Sequence, residues 1–371
     1  MNGSEHPKLV TEKEKCTGCA ACASACPAHA ITMVADSEGF LYPEINAVKC
    51  TRCGKCEKIC EREGKRKIAH TRAYASYASD PEIIEKSTSG GMFTLIAQIT
   101  LDAHGVIFGA AFDRDYNVRH THAEDAAGID KFRRSKYVQS ETGDAYREAE
   151  KYLKSGREVL YTGTPCQIAG LKAFLGREYK NLTTTDILCH GVPSPVVWRR
   201  YLKSMASRGV QPLKLVSFRS KRYGWQHFAM HFIYADGSEY HSEYSEDPYL
   251  RGFLANFYLR PCCHACRFKD NNRESDVTIA DFWSVRRMMP EIYNSRGTSL
   301  VISNTQKGSE ILDKILAKMR HVEINPADMP RYNVAIDKSS QPHKKREQFM
   351  QEVVAGKSDI IDLLNRYINE K

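Results

Sequence analysis

The sequence lacks the short motifs by which several large enzyme classes bind cofactors or activate nucleophiles. It contains no G-x-G-x-x-G fingerprint, no Walker A lysine, no G-x-S-x-G elbow and no H-E-x-x-H zinc motif. Each of these motifs has a distinct mechanical purpose. Their absence argues against a typical NAD-dependent dehydrogenase, P-loop nucleotidase, serine hydrolase or zinc protease, and no catalytic residue is assigned from motifs.

Long apolar runs are also missing. The first fifteen residues are polar and contain no apolar core, and the most apolar stretch, residues 90–112, is interrupted by Asp102 and His104. A membrane span needs about 20 consecutive apolar residues, and a secretory leader needs an apolar core near its start. We therefore expect a cytoplasmic protein without a membrane span.

A strong charge bias is absent as well. The formal net charge is +9 over 371 residues, and no basic helix or aromatic-basic platform accompanies it, so we expect no nucleic-acid partner. The positive sign is compatible with an acidic electron carrier or a phosphorylated cofactor. With 42% hydrophobic and 27% charged residues, the chain is typical of a globular protein with more than one domain.

Cysteine, by contrast, is abundant and regularly spaced. The thirteen cysteines include two runs with the spacing C-x2-C-x2-C-x3-C, at residues 16–26 and 50–60. In two-cluster ferredoxins the first three cysteines of each run bind one [4Fe–4S] cluster, and the fourth binds the other cluster. Zinc sites use pairs of cysteines instead, so structural zinc is the weaker alternative. We expect cluster one to be bound by Cys16, Cys19, Cys22 and Cys60, and cluster two by Cys50, Cys53, Cys56 and Cys26.

Two domains are predicted. Residues 1–66 would form a small α+β two-cluster ferredoxin-like domain, in which residues 30–45 supply two short strands around a turn at Ser37-Glu38-Gly39. The charged stretch EREGKRKIAHTRA that follows the second cysteine run is typical of a linker. In residues 72–371 strands alternate with amphipathic helices, which indicates a larger mixed α/β domain. The predicted fold class is therefore α/β.

Ligands in such sheets bind beyond the carboxyl ends of the strands. Ser89, Gly90 and Gly91 precede an apolar helix, and glycine amides at a helix N-terminus can bind a phosphate group. An ordinary helix cap supplied by Ser87, Thr88 or Ser89 is the simpler interpretation.

Four other cysteines suggest a further site. Cys166 and Cys189 lie at or just after two predicted strands, and Cys263 and Cys266 form a C-x2-C knuckle. Together they can supply four ligands to a third [4Fe–4S] cluster. Zinc, an inert buried thiol and a reactive thiolate at the helix N-terminus are the alternatives for Cys166 or for the whole group.

An ordered set of segments resembles the coenzyme F420 hydrogenase/dehydrogenase beta-subunit family. After the cysteine runs these are KSTSGGMFT, SKYVQS, GTPCQIAGL, DILCHGVPSP, KRYGW, the knuckle with SDVTIADFW, and GTSLVI. Two positions depart from the family pattern, Arg134 before SKYVQS and Cys262 before the knuckle. The first bears on the shape of the flavin pocket, and the second on the choice of ligand between Cys262 and Cys263.

The resemblance implies an FAD bound noncovalently in the α/β domain, beside a [4Fe–4S] cluster. It implies that Ser89, Gly90 and Gly91 lie at the phosphate end of FAD. Lys136 and the Thr164-Pro165 turn would lie near the flavin ring. It also implies that the third cluster is bound by Cys166, Cys189, Cys263 and Cys266.

These observations predict a flavin-dependent iron–sulfur oxidoreductase. It would couple a small-molecule hydride donor or acceptor, with coenzyme F420 as one candidate, through FAD to the clusters and to a ferredoxin-type carrier or redox partner subunit. The main alternative is a non-catalytic electron-transfer subunit of a larger redox complex. A reductive enzyme that acts on a small organic substrate is a third hypothesis.

Overall fold

A computed structural model describes residues 7–60, 72–207, 212–269 and 273–370. Most of the predicted linker, and with it the predicted boundary after residue 66, lies outside the described residues. Within the described residues, no helix is long and apolar enough to cross a bilayer.

The β-strands have the following bounds: β1 Ile31–Ala35, β2 Leu41–Ile45, β3 Arg72–Ala78, β4 Val106–Phe112, β5 Val118–Ala123, β6 Ser140–Glu141, β7 Val159–Gly163, β8 Leu182–Ile187, β9 Leu213–Ser220, β10 Ala229–Tyr234, β11 Glu239–Glu243, β12 Val277–Asp281, β13 Ser299–Ser303 and β14 Met319–Ile324.

The α-helices have the following bounds: α1 Ala21–Ala25, α2 Lys55–Cys60, α3 Pro81–Glu85, α4 Met92–Asp102, α5 Ala126–Ile129, α6 Ala145–Lys154, α7 Pro165–Leu175, α8 Pro195–Ser207, α9 Pro248–Leu254, α10 Val285–Met288, α11 Gln306–Ile315, α12 Met329–Tyr332, α13 Arg346–Ala355 and α14 Ile360–Asn369. Short 3₁₀ helices cover Pro261–Ala265, Pro290–Ile292, Leu316–Lys318, Pro326–Asp328 and Val334–Ile336.

The N-terminal module contains one β-hairpin and two short helices. Strands β1 and β2 pair antiparallel, with Ile31 opposite Ile45. The turn between them is fixed by Asp36, whose carboxylate accepts hydrogen bonds from the amides of Glu38 and Phe40. The predicted hairpin in this region is therefore confirmed.

A nine-stranded mixed sheet forms the centre of the larger domain, in the order β14-β3-β13-β12-β8-β7-β4-β5-β6. Strands β12, β8, β7 and β4 run parallel, whereas β14, β3 and β13 pair antiparallel. Val106, Ile107 and Phe108 on β4 are fully buried, which is typical of parallel strands covered on both faces. The predicted α/β class, with a small ferredoxin-like unit and a larger mixed domain, is confirmed.

A second, three-stranded antiparallel sheet has the order β11-β10-β9. One face of it packs into an aromatic core with Trp198, Tyr249 and Phe349, which helices α8, α9 and α13 contribute. The other face of this sheet carries polar side chains, among them His231 and His241.

The N-terminal module packs directly on the larger domain. Ala21, Ala25 and Ile59 share a hydrophobic cluster with Tyr146 and Leu171 of helices α6 and α7. This contact places the two cysteine runs against the same helix, α7, that begins beside Cys166.

Two helix starts bear on the site, and the hydroxyl cap predicted before α4 is wrong. Helix α7 begins at Pro165, so the TPCQ segment is the N-cap and first turn of the helix, closed by a capping box between Thr164 and Gln167. Helix α4 has Gly91 as its N-cap with no side-chain cap hydrogen bond, and none of the three preceding hydroxyl residues caps it.

Candidate functional site

The two cysteine runs share one unusual backbone conformation. Gly18 and Ala20 in the first run have φ values of 69° and 63°, and Arg52 and Gly54, the corresponding residues of the second run, have 56° and 69°. A left-handed backbone conformation is uncommon for residues other than glycine. It turns successive backbone amides toward one centre, and these amides form a concave binding site for an anion. Each run is thus shaped to surround a negatively charged group.

The thiols of the two runs are grouped across the runs. Burial raises the pKa of Cys22, and the charges of Cys19, Cys60 and Cys16 raise it further. Cys60 of the second run therefore lies beside the first three cysteines of the first run. Conversely, Cys26 of the first run lines a small cavity together with three cysteines of the second run, Cys50, Cys53 and Cys56. This is the grouping that the spacing predicts.

The remaining cysteines line one larger cavity of about 410 Å³. Strands β7 and β8 are parallel neighbours, so Cys166 after β7 and Cys189 after β8 lie at the same sheet edge. The 3₁₀ helix Pro261–Ala265 brings the knuckle to the opposite wall. The cysteines that line this cavity are Cys166, Cys189, Cys262, Cys263 and Cys266, together with Cys60 from the N-terminal module.

The Cys166 thiol is only partly exposed. Its position in the first turn of α7 favours a lowered pKa, but burial outweighs the helix and raises the pKa of Cys166 well above its ordinary value. The Thr164 hydroxyl lies 3.1 Å from its sulfur. A raised pKa favours the neutral thiol, which is a poor nucleophile, so this environment gives no support to the reactive-thiolate alternative.

The spacing of the thiols does not suit a single zinc ion. Tetrahedral zinc with bonds of about 2.3 Å needs sulfurs roughly 3.8 Å apart. Among the described residues, which include all thirteen cysteines, no three thiols lie within 4.8 Å of one another. The thiols therefore surround a space larger than one metal ion.

Donors and cations surround this cavity. The Lys269 ammonium donates to the Cys189 carbonyl oxygen at 2.8 Å, and the Val192 amide donates to the Cys263 sulfur at 3.4 Å. Arg273, which also lines the cavity, forms a buried ion pair with Asp186 at 3.2 Å. Hydrogen bonds and positive charge stabilise thiolates and the clusters they bind.

Cys262, the departure noted in the sequence, lies on the same cavity as Cys263. Its thiol is hydrogen-bonded to that of Cys263. Burial is the main cause of the raised pKa of Cys16, and the charge of Cys262 raises that pKa further. Cys262 therefore lies between the knuckle and the predicted cluster one.

Ser89, Gly90 and Gly91 do not form an open phosphate cradle. The Gly90 amide donates to the Ser299 hydroxyl, and a side chain at Gly90 would meet the Ser76 carbonyl oxygen at 2.5 Å. The Ser89 hydroxyl donates to the carbonyl oxygen of Thr298. Close packing against the protein's own backbone thus explains Gly90, and both the Gly90 amide and the Ser89 hydroxyl are engaged within the protein.

Nearby lysines fit an anionic ligand better. Burial lowers the pKa of Lys136 to about 7, and the Arg134 charge adds to the effect. Burial also lowers the pKa of Lys221 to about 7, with the nearby charge of Arg219 as the next cause. The hydrogen bonds found for both ammonium groups go to carbonyl oxygens, with none to a carboxylate in the described part of the chain.

Two residues of the site were missed by the sequence reasoning. Lys221 is the first residue of the segment KRYGW, but the sequence analysis gave it no role because no spacing signal singles it out. Arg260 is fully buried, donates to the carbonyl oxygens of Cys16 and Leu41, and lies 3.8 Å from the Cys16 sulfur. Its position immediately before Pro261 and the knuckle is the only signal that could have identified it.

Two family models match parts of this chain. Residues 156–329 match the family model for the C terminus of the coenzyme F420 hydrogenase/dehydrogenase beta subunit, and residues 15–63 match the 4Fe-4S dicluster domain. No curated protein matches the chain. A chain from the F420-reducing [NiFe] hydrogenase complex of Methanosarcina barkeri is similar at 17% identity and a TM-score of 0.48, covering 80% of this chain and 91% of that one.

Proposed function

We propose that the chain is a flavin-dependent iron–sulfur oxidoreductase, because residues 156–329 match the C-terminal model of the coenzyme F420 hydrogenase/dehydrogenase beta-subunit family and residues 15–63 match a 4Fe-4S dicluster domain. It would couple a small-molecule hydride donor or acceptor, such as coenzyme F420, through FAD to [4Fe–4S] clusters. Residues 1–66 would form the electron-transfer unit and residues 72–371 the flavin unit.

One observation carries this proposal. The cavity lined by Cys166, Cys189, Cys263 and Cys266 is also lined by Cys60 and Thr17 of the N-terminal module. A group held by the first four cysteines would therefore lie next to the predicted cluster one. Such proximity supports a function in electron transfer between the two units.

The chain's own residues would hold and shield the groups. FAD supplies the exchange between two-electron hydride chemistry and single electrons, and the clusters supply the one-electron steps. Thr164 and Pro165 line the cysteine cavity, and Arg134, Lys136 and Lys221 supply positive charge for the diphosphate of FAD. Hydride transfer to a flavin needs no protein acid or base, which is consistent with the absence of a catalytic motif.

The partner would dock at the exposed side of the N-terminal module. Cys53 is exposed and Val48 is 96% exposed. The exposed residues Lys49 and Arg52, in the loop that contains Cys53, and Lys55, the first residue of α2, flank Cys53, and we name these three the basic rim. A positive rim around an apolar residue is suited to an acidic ferredoxin-type carrier or an acidic partner protein.

The first experiment counts iron and flavin per chain after purification without oxygen. About twelve irons and one FAD are expected for three cubane clusters. About eight irons would refute the third cluster, and the absence of flavin would favour the non-catalytic electron-transfer subunit.

Two neighbouring variants make this count specific. Cys263→Ser should lower the iron content to about eight per chain, because it removes a ligand of a four-iron cluster. The matched change Cys262→Ser should leave about twelve. The reverse result would assign Cys262 as the ligand. Turnover with reduced coenzyme F420 and other hydride donors, measured against a ferredoxin-type acceptor, then tests the substrate class.

A further inference from the structure

Three side chains away from the cysteine sites converge on the polar face of the three-stranded sheet. His231 on β10 lies directly opposite His241 on β11, and Glu239 lies two residues before His241 on the same face. The two imidazole rings stack with centroids 3.7 Å apart and an interplanar angle of 14°. The Glu239 carboxylate lies 2.9 Å from Nε2 of His241 and 3.5 Å from Nε2 of His231.

This cluster is unusual within the molecule. Among the described residues, it is the only group of three or more His, Cys, Asp or Glu side chains whose ligand atoms all lie within 4.8 Å of one another. Its two imidazoles are largely shielded, because the side chains of His231 and His241 are only 16% and 11% exposed, whereas the Glu239 side chain is 43% exposed.

The ring nitrogens show that these side chains are not fully paired within the protein. Within the described residues, Nδ1 of His241 is buried without a hydrogen-bond partner, and buried Nε2 of His231 has only the long 3.5 Å contact with the Glu239 carboxylate. Buried polar atoms are nearly always paired, and an unpaired one calls for a specific explanation such as a bound ion. Burying two stacked imidazoles whose ring nitrogens lack hydrogen-bond partners costs free energy, unless a bound ligand or ion contacts those nitrogens.

We propose that His231, Glu239 and His241 form a binding site for a divalent transition-metal cation. Two imidazoles and one carboxylate are the ligand set of open, three-ligand zinc and iron sites. Imidazole nitrogen favours metals of the zinc and iron type over magnesium or calcium. Three protein ligands leave coordination positions open, so the metal would bind water or a small anionic ligand in addition.

The surroundings are compatible with this assignment. Antiparallel strands β10 and β11 hold the ligands on a rigid frame, since both flank the same hydrogen-bonded ladder. The Arg222 guanidinium contacts the Glu239 carboxylate at 3.3 Å and would orient it as an outer partner. Orientation of ligating groups by such outer partners is common in metal sites. The site does not depend on the proposed flavin and cluster chemistry.

The test uses full-length protein, purified without oxygen so that its iron sites stay filled. Wild type and variants are dialysed against chelator-buffered Zn²⁺, and zinc and iron are counted together by mass spectrometry. Wild type should bind one zinc per chain more than His241→Gln. The zinc affinity of His241→Gln should fall at least about tenfold, because the loss of even an outer hydrogen-bond partner of a metal ligand weakens metal binding by that factor. The iron content should be equal in both proteins.

His227→Gln is the matched control. His227 lies just before β10 and pairs only with Glu243, at 2.8 Å, so its loss should leave zinc binding unchanged. Zinc should also raise the midpoint of thermal unfolding of wild type and of this control, but not that of His241→Gln, because a ligand stabilises only the folded state that binds it.

A second variant keeps the test decisive if His241→Gln loses its iron and so fails to fold. Glu239 has a 43% exposed side chain, and Glu239→Gln keeps the shape and both imidazoles while removing the charge. It should weaken zinc binding at least about tenfold. Equal zinc affinity in wild type and Glu239→Gln, or an equal loss in His227→Gln, would overturn the proposed site.

Discussion

The buried guanidinium of Arg260 should set the reduction potential of the predicted cluster one. It is fully buried, and its Nη2 lies 3.8 Å from the Cys16 sulfur. Burial raises the pKa of Cys16, and the Arg260 charge opposes that rise. A positive charge in this place stabilises the reduced cluster, which carries one more electron. Arg260→Met should therefore lower the potential.

The size of the effect follows from the distance. A unit charge 3.8 Å away is worth about 4 kcal/mol at an effective dielectric constant of 20. The added electron is spread over the cluster and so lies farther from Arg260 than the sulfur does. We therefore expect about half of that energy, ~2 kcal/mol, which equals ~90 mV for a one-electron couple.

The assay is a redox titration of the anaerobically purified protein, followed by electron paramagnetic resonance. Arg260→Lys is the matched control because it keeps the charge, and it should shift the potential by less than half as much. Cluster two should shift least, because its predicted ligands lie in the other cysteine group. An iron count on each variant verifies that the clusters remain.

Two results would refute this reasoning. If no cluster potential falls by more than about 20 mV in Arg260→Met, the guanidinium is screened and its role is structural only. If Arg260→Lys shifts the potential as much as Arg260→Met, hydrogen bonds to the Cys16 and Leu41 carbonyl oxygens matter and the charge does not.

Three further predictions concern stability, flavin binding and docking. Asp186→Asn should lower the free energy of unfolding by about 3–5 kcal/mol in anaerobic chemical denaturation, because it leaves the buried Arg273 charge unpaired; an unchanged midpoint would contradict this. Lys221 has a pKa lowered to about 7 by burial, so it loses its charge as the pH rises through 7 in the flavin-free protein. The loss of this charge should raise the dissociation constant for FAD by up to about tenfold per pH unit above pH 7. In a fluorescence titration, Lys221→Met should remove this share of the rise and leave the share of Lys136, whose pKa burial also lowers to about 7. Replacing the three residues of the basic rim by glutamate should slow electron transfer to an acidic carrier at least about tenfold at low salt. This difference from wild type should vanish at high salt. The control Lys357→Glu, in the exposed loop after α13, should transfer electrons at the wild-type rate.

The sequence was sufficient for features that depend on local spacing. The C-x2-C-x2-C-x3-C pattern predicts which thiols can reach one cluster, because three ligands within seven residues must wrap a common centre. The hairpin between the runs follows equally from a turn between two short β-rich segments, and the structure confirms it. The family resemblance was likewise readable from ordered segments, and the family model at residues 156–329 confirms it.

Local patterns were insufficient where long-range packing decides. A Ser-Gly-Gly segment before a helix predicts a phosphate site, yet Gly90 lies against the Ser76 backbone, a contact that no local rule contains. The helix N-terminus at Cys166 predicts a lowered pKa, whereas burial raises it, because desolvation in the assembled cavity outweighs the dipole of one helix end.

The sequence by itself determined the chemistry available to this protein: two fourfold cysteine runs, five further cysteines and the resemblance to a known family. Only the tertiary structure decided which groups meet. It brings Cys60 to the cavity of Cys166, places the Arg260 charge beside Cys16, and pairs His231 with His241 across two strands. The physical reason is that thiol spacing within a run is a property of a few consecutive bonds, whereas these contacts join residues that only the folded sheet and packed helices bring together.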